Sequence, residues 1–420
     1  MKILFVSAYF TYPQVAHGGG TDLFHLIEAL GSRHEIHLIS FADAWELPYA
    51  RDMCRYCRTL HLVVPANRWG DKLGSAFRTI KTDPLHAPQL LGRRSHREMR
   101  RLIGEVVASE EIDLVQFEWT EVAQFQPAVP SAGVCTILDE VDVSFRPLLQ
   151  TAVLEWHPAR KLLALRRYRR EREKELKLCQ RFDAVLTRSE SDQSLLSALL
   201  PDRPVFVFSP WTRVAEFADV KSWERDQDIL LFVGAMDRPP NVDAVLYFHR
   251  EIWPSVRRAI PTARLLIVGA DPTREVRALS ADRSVTVTGY VPNLRPHYAS
   301  CAVFVAPLRI GGGIVNKTID AMAAGRPAVT TPQGNAGIGA APGDEILVAE
   351  RPEEFAQKVI ALLRDEALWQ RIAARGRSYV QRTFDWPATV ASGEEIHREL
   401  VARKRLAGTI APQRRSERAE

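Results

Sequence analysis

Short apolar runs alternate with helix-length segments in two successive series along the 420-residue chain, and this alternation restricts the fold more than any other feature. "KILFVSA" (2–8) has the length of a buried strand. "TDLFHLIEALGSR" (21–33) sets Leu23, Leu26, Ile27 and Leu30 at helical spacing, and "HEIHLISF" (34–41) is a second strand. Strand, helix and strand in that order predict a parallel sheet, because parallel neighbours need a crossover connection. Further strands are predicted at 60–65, 113–119, 134–140 and 183–189, with one long helix over 151–180. Pro201, Pro204 and Pro210 then break the pattern, which marks 199–228 as an interdomain connection. A second series follows. It has strands at 228–234, 263–269, 285–291, 301–307 and 327–332, and helices at 241–258, 293–299, 315–325 and 352–364. Two doubly wound α/β domains are therefore predicted, residues 1–210 and 211–386, facing across a cleft. Residues 387–406 read as helical, and the polar, basic residues 407–420 as a disordered tail.

Composition narrows the function classes. At 46% hydrophobic and 25% charged residues the chain is of ordinary globular type. Its five cysteines are few and odd in number, which suits a reducing compartment. Cys54 and Cys57 form a lone C-x-x-C with no second pair or histidine cluster near it, so no metal is predicted. No run reaches the roughly 18 apolar residues of a membrane span, and the N-terminus lacks the pattern of a signal peptide. A cytoplasmic protein is expected. Net charge is +5, but 92–101 and 159–178 are strongly basic. These runs are either solvated helix faces or an attachment to an anionic membrane surface on the inner face of the cell membrane. Nucleic acid is not predicted as a partner, since the basic runs carry no interleaved aromatics and no known binding motif.

Glycine triplets mark both domains. Gly18, Gly19 and Gly20 open a helix after the first strand, and Gly311, Gly312 and Gly313 precede another after the strand at 301–307. Neither matches the phosphate loop with G-K-[ST] or the G-x-G-x-x-G fingerprint. Glycine lets a ligand approach the backbone, and a helix N-terminus behind it favours anions. On the second helix Asn316, Lys317 and Asp320 share one face, while Val315, Ile319, Met322 and Ala323 form the opposite stripe. A lysine where the helix dipole is already positive either pairs with Asp320 at the surface or awaits an anion from outside the chain. A diphosphate fits that place, and an aspartate one turn on accepts two hydroxyls, as a ribose diol offers.

The stretch "PLRIGGGIVNKTIDAMAAGRPAVTTPQG" (307–334) resembles the donor-binding signature of family-4 retaining glycosyltransferases of the GT-B fold. It is most similar to the branch with R-x-G-G-G-x-x-x-K-x-x-E-A-M. "FVGAMDRPPNVDAVLYFHREIWP" (232–254), "VTGYVPNLRPHYASCAVFVAPL" (287–308) and "RSYVQRTFDW" (377–386) match the same branch in order, and the first half matches more loosely. The resemblance implies transfer of a sugar, with retention and without a bound metal, from a UDP- or GDP-linked donor that is substrate rather than cofactor. The acceptor would be a carbohydrate or lipid-linked hydroxyl in bacterial surface-glycan synthesis. It gives Lys317 the diphosphate and Asp320 the ribose. Arg238 and Asn241 would contact the donor, the backbone at Tyr290 and Val291 the nucleobase, and Gly18, Gly19 and Gly20 the phosphate and sugar. The final helix, 387–406, would cross back to the first domain. Three positions depart from the family pattern. Gly312 stands where a glutamate is usual, Asp320 where glutamate is usual, and Val141 where many relatives have histidine. Glu118 and Asp142 are then the candidate catalytic carboxylates. A nucleotide-sugar epimerase and a non-catalytic donor-binding subunit are the alternatives.

Overall fold

The computed structural model describes residues 1–15, 18–65, 93–130, 133–208, 217, 228–311 and 314–416. Two compact units are present, Met1–Ser209 with Thr389–Glu420, and Pro210–Ala388.

The first unit holds a seven-stranded sheet. Its strands are β1 (Lys2–Ser7), β2 (Glu35–Phe41), β3 (Thr59–Val63), β4 (Leu114–Glu118), β5 (Cys135–Glu140), β6 (Ala184–Thr187) and β7 (Val205–Val207). They lie in the order β3-β2-β1-β4-β5-β6-β7, every pair parallel. Helices cover such sheets on both faces, so their strands are continuous apolar runs. In β1, residues Ile3 to Val6 are all fully buried. The helix Arg93–Ser109 packs one face with Met99, Ile103 and Val106 against Val6, Phe117 and Leu138.

The second unit holds β8 (Ile229–Val233), β9 (Arg264–Val268), β10 (Val285–Val287), β11 (Val303–Ala306), β12 (Ala328–Thr330) and β13 (Leu347–Val348). Their order is β10-β9-β8-β11-β12-β13, again all parallel. Trp253 and Trp369 fill its core, and the Trp369 indole N–H donates to the Ala302 carbonyl at 2.6 Å, so the buried ring keeps its polar atom satisfied.

The structure departs from the sequence reading in several places. The segment 151–180 is two helices, Phe145–Leu154 and Pro158–Cys179, because Glu155 and His157 are extended and Pro158 starts a new helix. The helix predicted at 241–258 has three parts. Pro239–Tyr247 and Trp253–Ala259 flank a π turn, Phe248–Ile252, just ahead of Pro254, whose nitrogen donates no hydrogen bond. Strands β7 and β13 are too short to show a period. The connection at 199–228 lies largely outside the described residues. The predicted disordered tail is helical as far as Ser416, within one helix Trp386–Ser416, while 417–420 lie outside the described residues. Val390, Leu400 and Val401 anchor that helix, and His397 Nε2 lies 2.6 Å from Gln116 Oε1. Once nucleated and docked, a helix extends at the cost of one residue per bond gained. Among the described residues no helix is long and apolar enough to cross a membrane.

Candidate functional site

In the second sheet the strand order reverses between β8 and β11. These pair directly, with Leu230 opposite Val303 and Leu231 opposite Phe304. Loops leaving the C-terminal ends of two such strands diverge and open the crevice where doubly wound sheets take ligands. The loop after β8 enters the helix Pro239–Tyr247 at Arg238, and the loop after β11 enters the helix Asn316–Ala323. Their side chains meet. Lys317 Nζ donates to Asn241 Oδ1 at 2.5 Å, and Asn241 Nδ2 donates to the Ala235 carbonyl at 2.8 Å. The ammonium also lies 4.6 Å from the centroid of the Phe232 ring, a cation–π contact. Gly234 leaves room for both side chains. A β-carbon there would lie 2.9 Å from Lys317 Nζ and 2.8 Å from Asn241 Nδ2. Lys317 keeps partial exposure as a residue, while its ammonium packs against Asn241, the Phe232 ring and the backbone at Gly234. Burial, and next the positive charge of Arg238, push its pKa down to about 7.

The face predicted for this helix is the one observed. Asn316, Lys317 and Asp320 are partly exposed, while Thr318, Ile319, Ala321, Met322 and Ala323 are buried. Lys317 engages Asn241, from a different helix, and the Tyr298 hydroxyl donates to the Lys317 carbonyl at 3.2 Å. Arg309 was not singled out from the sequence. Its Nε donates to Asp243 Oδ2 at 3.0 Å, a second nitrogen reaches Asp243 Oδ1 at 2.5 Å, and the guanidinium lies 4.3 Å from the Tyr247 ring centroid. This two-point clasp ties the glycine loop to the helix bearing Asn241. Gln333 Nε2 donates to the Gly311 carbonyl at 2.8 Å and holds the same loop from the other side. Gly312 and Gly313 lie outside the described residues. A cavity of about 330 Å³ opens beyond β9 and β10, lined by Asp271, Arg277, Thr288, Gly289 and Tyr290 among others. Tyr290 is exposed, whereas Val291 packs on the core beneath.

The first sheet reverses between β1 and β4, where Ser7 lies opposite Glu118. The helix Gly18–Gly31 begins on the glycine triplet. A β-carbon at Gly19 would lie 2.6 Å from Trp119 Cζ2, so the glycine admits the indole. Trp119 itself has φ of 71°, a strained value for a large side chain, and meets the Tyr9 ring edge-on at 5.1 Å. The Thr11 hydroxyl donates to the Gly20 carbonyl at 2.5 Å. The two candidate carboxylates differ in setting. Glu118 is buried and accepts from Gln116 Nε2 at 2.7 Å, and burial together with Asp139 holds its pKa above the usual range. Asp142 is exposed, just past β5. The sequence reading missed the ion pair behind them, Arg188 to Asp139 at 2.7 Å, fully interior at the ends of β6 and β5. Polar residues closing the apolar runs "CTILDE" and "AVLTR" were the available signal.

Cys54 is exposed and Cys57 buried, and burial pushes the Cys57 thiol up to about 12. Among the described residues, one group of side chains has its ligand atoms within 4.8 Å of one another: Glu35, His37 and Glu110. It includes the start of β2, at the N-terminal end of that strand, whereas the crevice at the switch point opens beyond the C-terminal ends.

The fold and its two switch points are those of the GT-B class, two Rossmann-like α/β domains in one chain. Residues 227–365 match the family described as "Glycosyl transferases group 1", a stretch that includes Arg238, Asn241, Lys317 and Asp320. The structure of sucrose-phosphate synthase from Thermosynechococcus elongatus is similar over 96% of this chain and 100% of that one, at 18% identity and a TM-score of 0.68. HepE from Anabaena, in complex with UDP, is similar over 96% and 100%, at 13% identity and a TM-score of 0.62. An uncharacterized 44.6 kDa protein in the cps region of Klebsiella pneumoniae is 24% identical over 168 residues, 37% of this chain. The chain spans 42% of the length of that relative.

Proposed function

We propose that the protein is a retaining, metal-independent glycosyltransferase. It moves a sugar from a nucleoside-diphosphate donor to a hydroxyl of a carbohydrate or lipid-linked acceptor in surface-glycan synthesis. The observation that carries this reading is the Lys317 ammonium at the β8/β11 switch point, held by Asn241 and flanked by Arg238. Breaking the bond between the sugar and the diphosphate leaves negative charge on the leaving group. Two cations and the first N–H groups of the Asn316–Ala323 helix are placed to stabilise it. The acceptor oxygen then bonds the anomeric carbon and its proton passes to the departing phosphate oxygen. Asp320 takes the ribose hydroxyls and the cavity beside Tyr290 takes the base. Asp142, as the exposed carboxylate, orients the acceptor. HepE, a GT-B neighbour, is recorded with UDP, which makes uridine donors the first choice. The position of the Klebsiella relative in a cps region supports a surface glycan.

A panel of UDP- and GDP-linked sugars, read by nucleotide release, tests this. Acceptor-dependent release, with the product's anomeric configuration matching the donor's by NMR, is expected. Conversion of the donor sugar without acceptor would instead identify an epimerase, and silence across the panel a non-catalytic subunit.

The depressed lysine pKa gives a second test. In the free protein Lys317 loses its proton as pH rises through about 7. A bound diphosphate raises that pKa again, so binding above pH 7 takes up a proton. UDP affinity is expected to fall about tenfold per pH unit above about 7. Calorimetry in buffers of different ionisation enthalpy should show uptake approaching one proton, absent in Lys317→Met.

A further inference from the structure

The helical hairpin Phe145–Leu154 and Pro158–Cys179 is packed at one end and bare at the other. At its base Phe145, Glu171, Glu175 and Cys179 are buried, and Phe145 meets the Tyr168 ring at 6.2 Å. The Ser144 backbone N–H donates to Glu175 Oε1 at 3.1 Å, which fixes the start of the first helix to the second. The tip is the opposite. From 153 to 170 no residue is buried. Trp156 is 84% exposed, Leu163 68% and Val153 62%, and Leu149, Leu154 and Leu162 are exposed beside them. Most of the large apolar side chains that the described chain leaves in solvent are therefore gathered at one turn. A soluble surface rarely concentrates such groups unless something covers them.

Charge selects what covers them. Arg160 and Lys161 flank the turn and Arg166, Arg167, Arg169 and Arg170 follow along the same helix, all exposed, with Glu155 the one acid within the turn. An apolar tip carrying an indole and collared by arginines matches a bilayer surface with anionic headgroups. The ring and leucines enter the acyl boundary, and the guanidinium groups stay at the phosphates. A nucleic acid would use the cations and leave the leucines wet.

We infer that this hairpin tip docks the protein on an anionic lipid bilayer by inserting Trp156, Leu162 and Leu163. The inference extends the lipid-linked acceptor in the proposed function, and its failure is separable from that of the transferase reading because nucleotide release and UDP binding are read without vesicles. The full chain is sedimented with vesicles of phosphatidylglycerol and phosphatidylcholine, and with phosphatidylcholine alone. Wild type is expected to partition to the anionic vesicles. Combined Trp156→Ser, Leu162→Ser and Leu163→Ser should weaken that partitioning about tenfold or more, and so should Arg166→Gln with Arg167→Gln. Melting temperature and UDP binding should be unchanged in both variants, since every altered side chain is exposed. Wild-type partitioning by the apolar variant overturns the proposal. So does a wild-type dimer in sedimentation velocity that the apolar variant loses while neither binds vesicles, which would assign the tip to a second copy of the chain.

Discussion

Lys317→Ala is expected to lower kcat/KM by about a thousandfold, the scale of removing a preorganised charge from a developing anion. The ammonium is set for this by its surroundings. Asn241 holds it, Phe232 lies beneath it, and Gly234 leaves room for a compact cation with no side chain of its own. Lys317→Arg should recover little, because a planar guanidinium needs space on the Gly234 side that Asn241 already occupies. UDP affinity should weaken along with turnover. Loss of fold does not mimic the effect. The lysine has a folded pKa below its unfolded one, so its charge opposes folding, fully so below about pH 7 and vanishing above the unfolded value. The alanine variant should therefore melt no lower than wild type at pH 6. Steady-state kinetics with the best donor, beside a thermal melt, checks both halves. Transfer at the wild-type rate would remove Lys317 from the mechanism.

Parts of this site were legible in the sequence because they are local. Asn316, Lys317 and Asp320 sit within one turn, and the 3.6-residue period alone assigns them a common face. Strands of four or more apolar residues were legible for the same reason. What was not legible depends on pairs distant along the chain. Arg309 and Asp243 are 66 positions apart, and nothing in "RIGGG" says which carboxylate will clasp the arginine. The role of Gly19 becomes clear only when Trp119 is seen against it. The tip at 153–163 shows a third limit. Its residues read as part of one long helix, 151–180, and periodicity reports amphipathicity but not whether a partner element exists to cover the leucines. Pro158 was the overlooked signal that two helices meet there.

The largest expected effect on stability comes from a glycine outside the triplets. Gly269 follows β9 with φ of 156°, and a β-carbon there would fall inside the carbonyl of Gly234. The obstruction is backbone and cannot swing away. The Gly234 N–H is bonded to the Val268 carbonyl at 3.0 Å, and the Gly269 N–H to the Gly289 carbonyl at 3.1 Å, so both chains are pinned where they touch. Relief requires parting the ends of β8 and β9. Gly269→Ala is expected to cost about 3 kcal/mol or more in urea unfolding. Gly234→Ala should cost less, because the atoms its β-carbon meets are ends of the Asn241 and Lys317 side chains. The order of the two effects should reverse when the observable is UDP affinity per folded molecule. Gly234→Ala displaces the ammonium itself, whereas Gly269→Ala reaches it only through the strand end. A Gly269→Ala protein as stable as wild type would show that the two strand ends do not approach this closely in solution, and would remove the support on which the position of Lys317 depends.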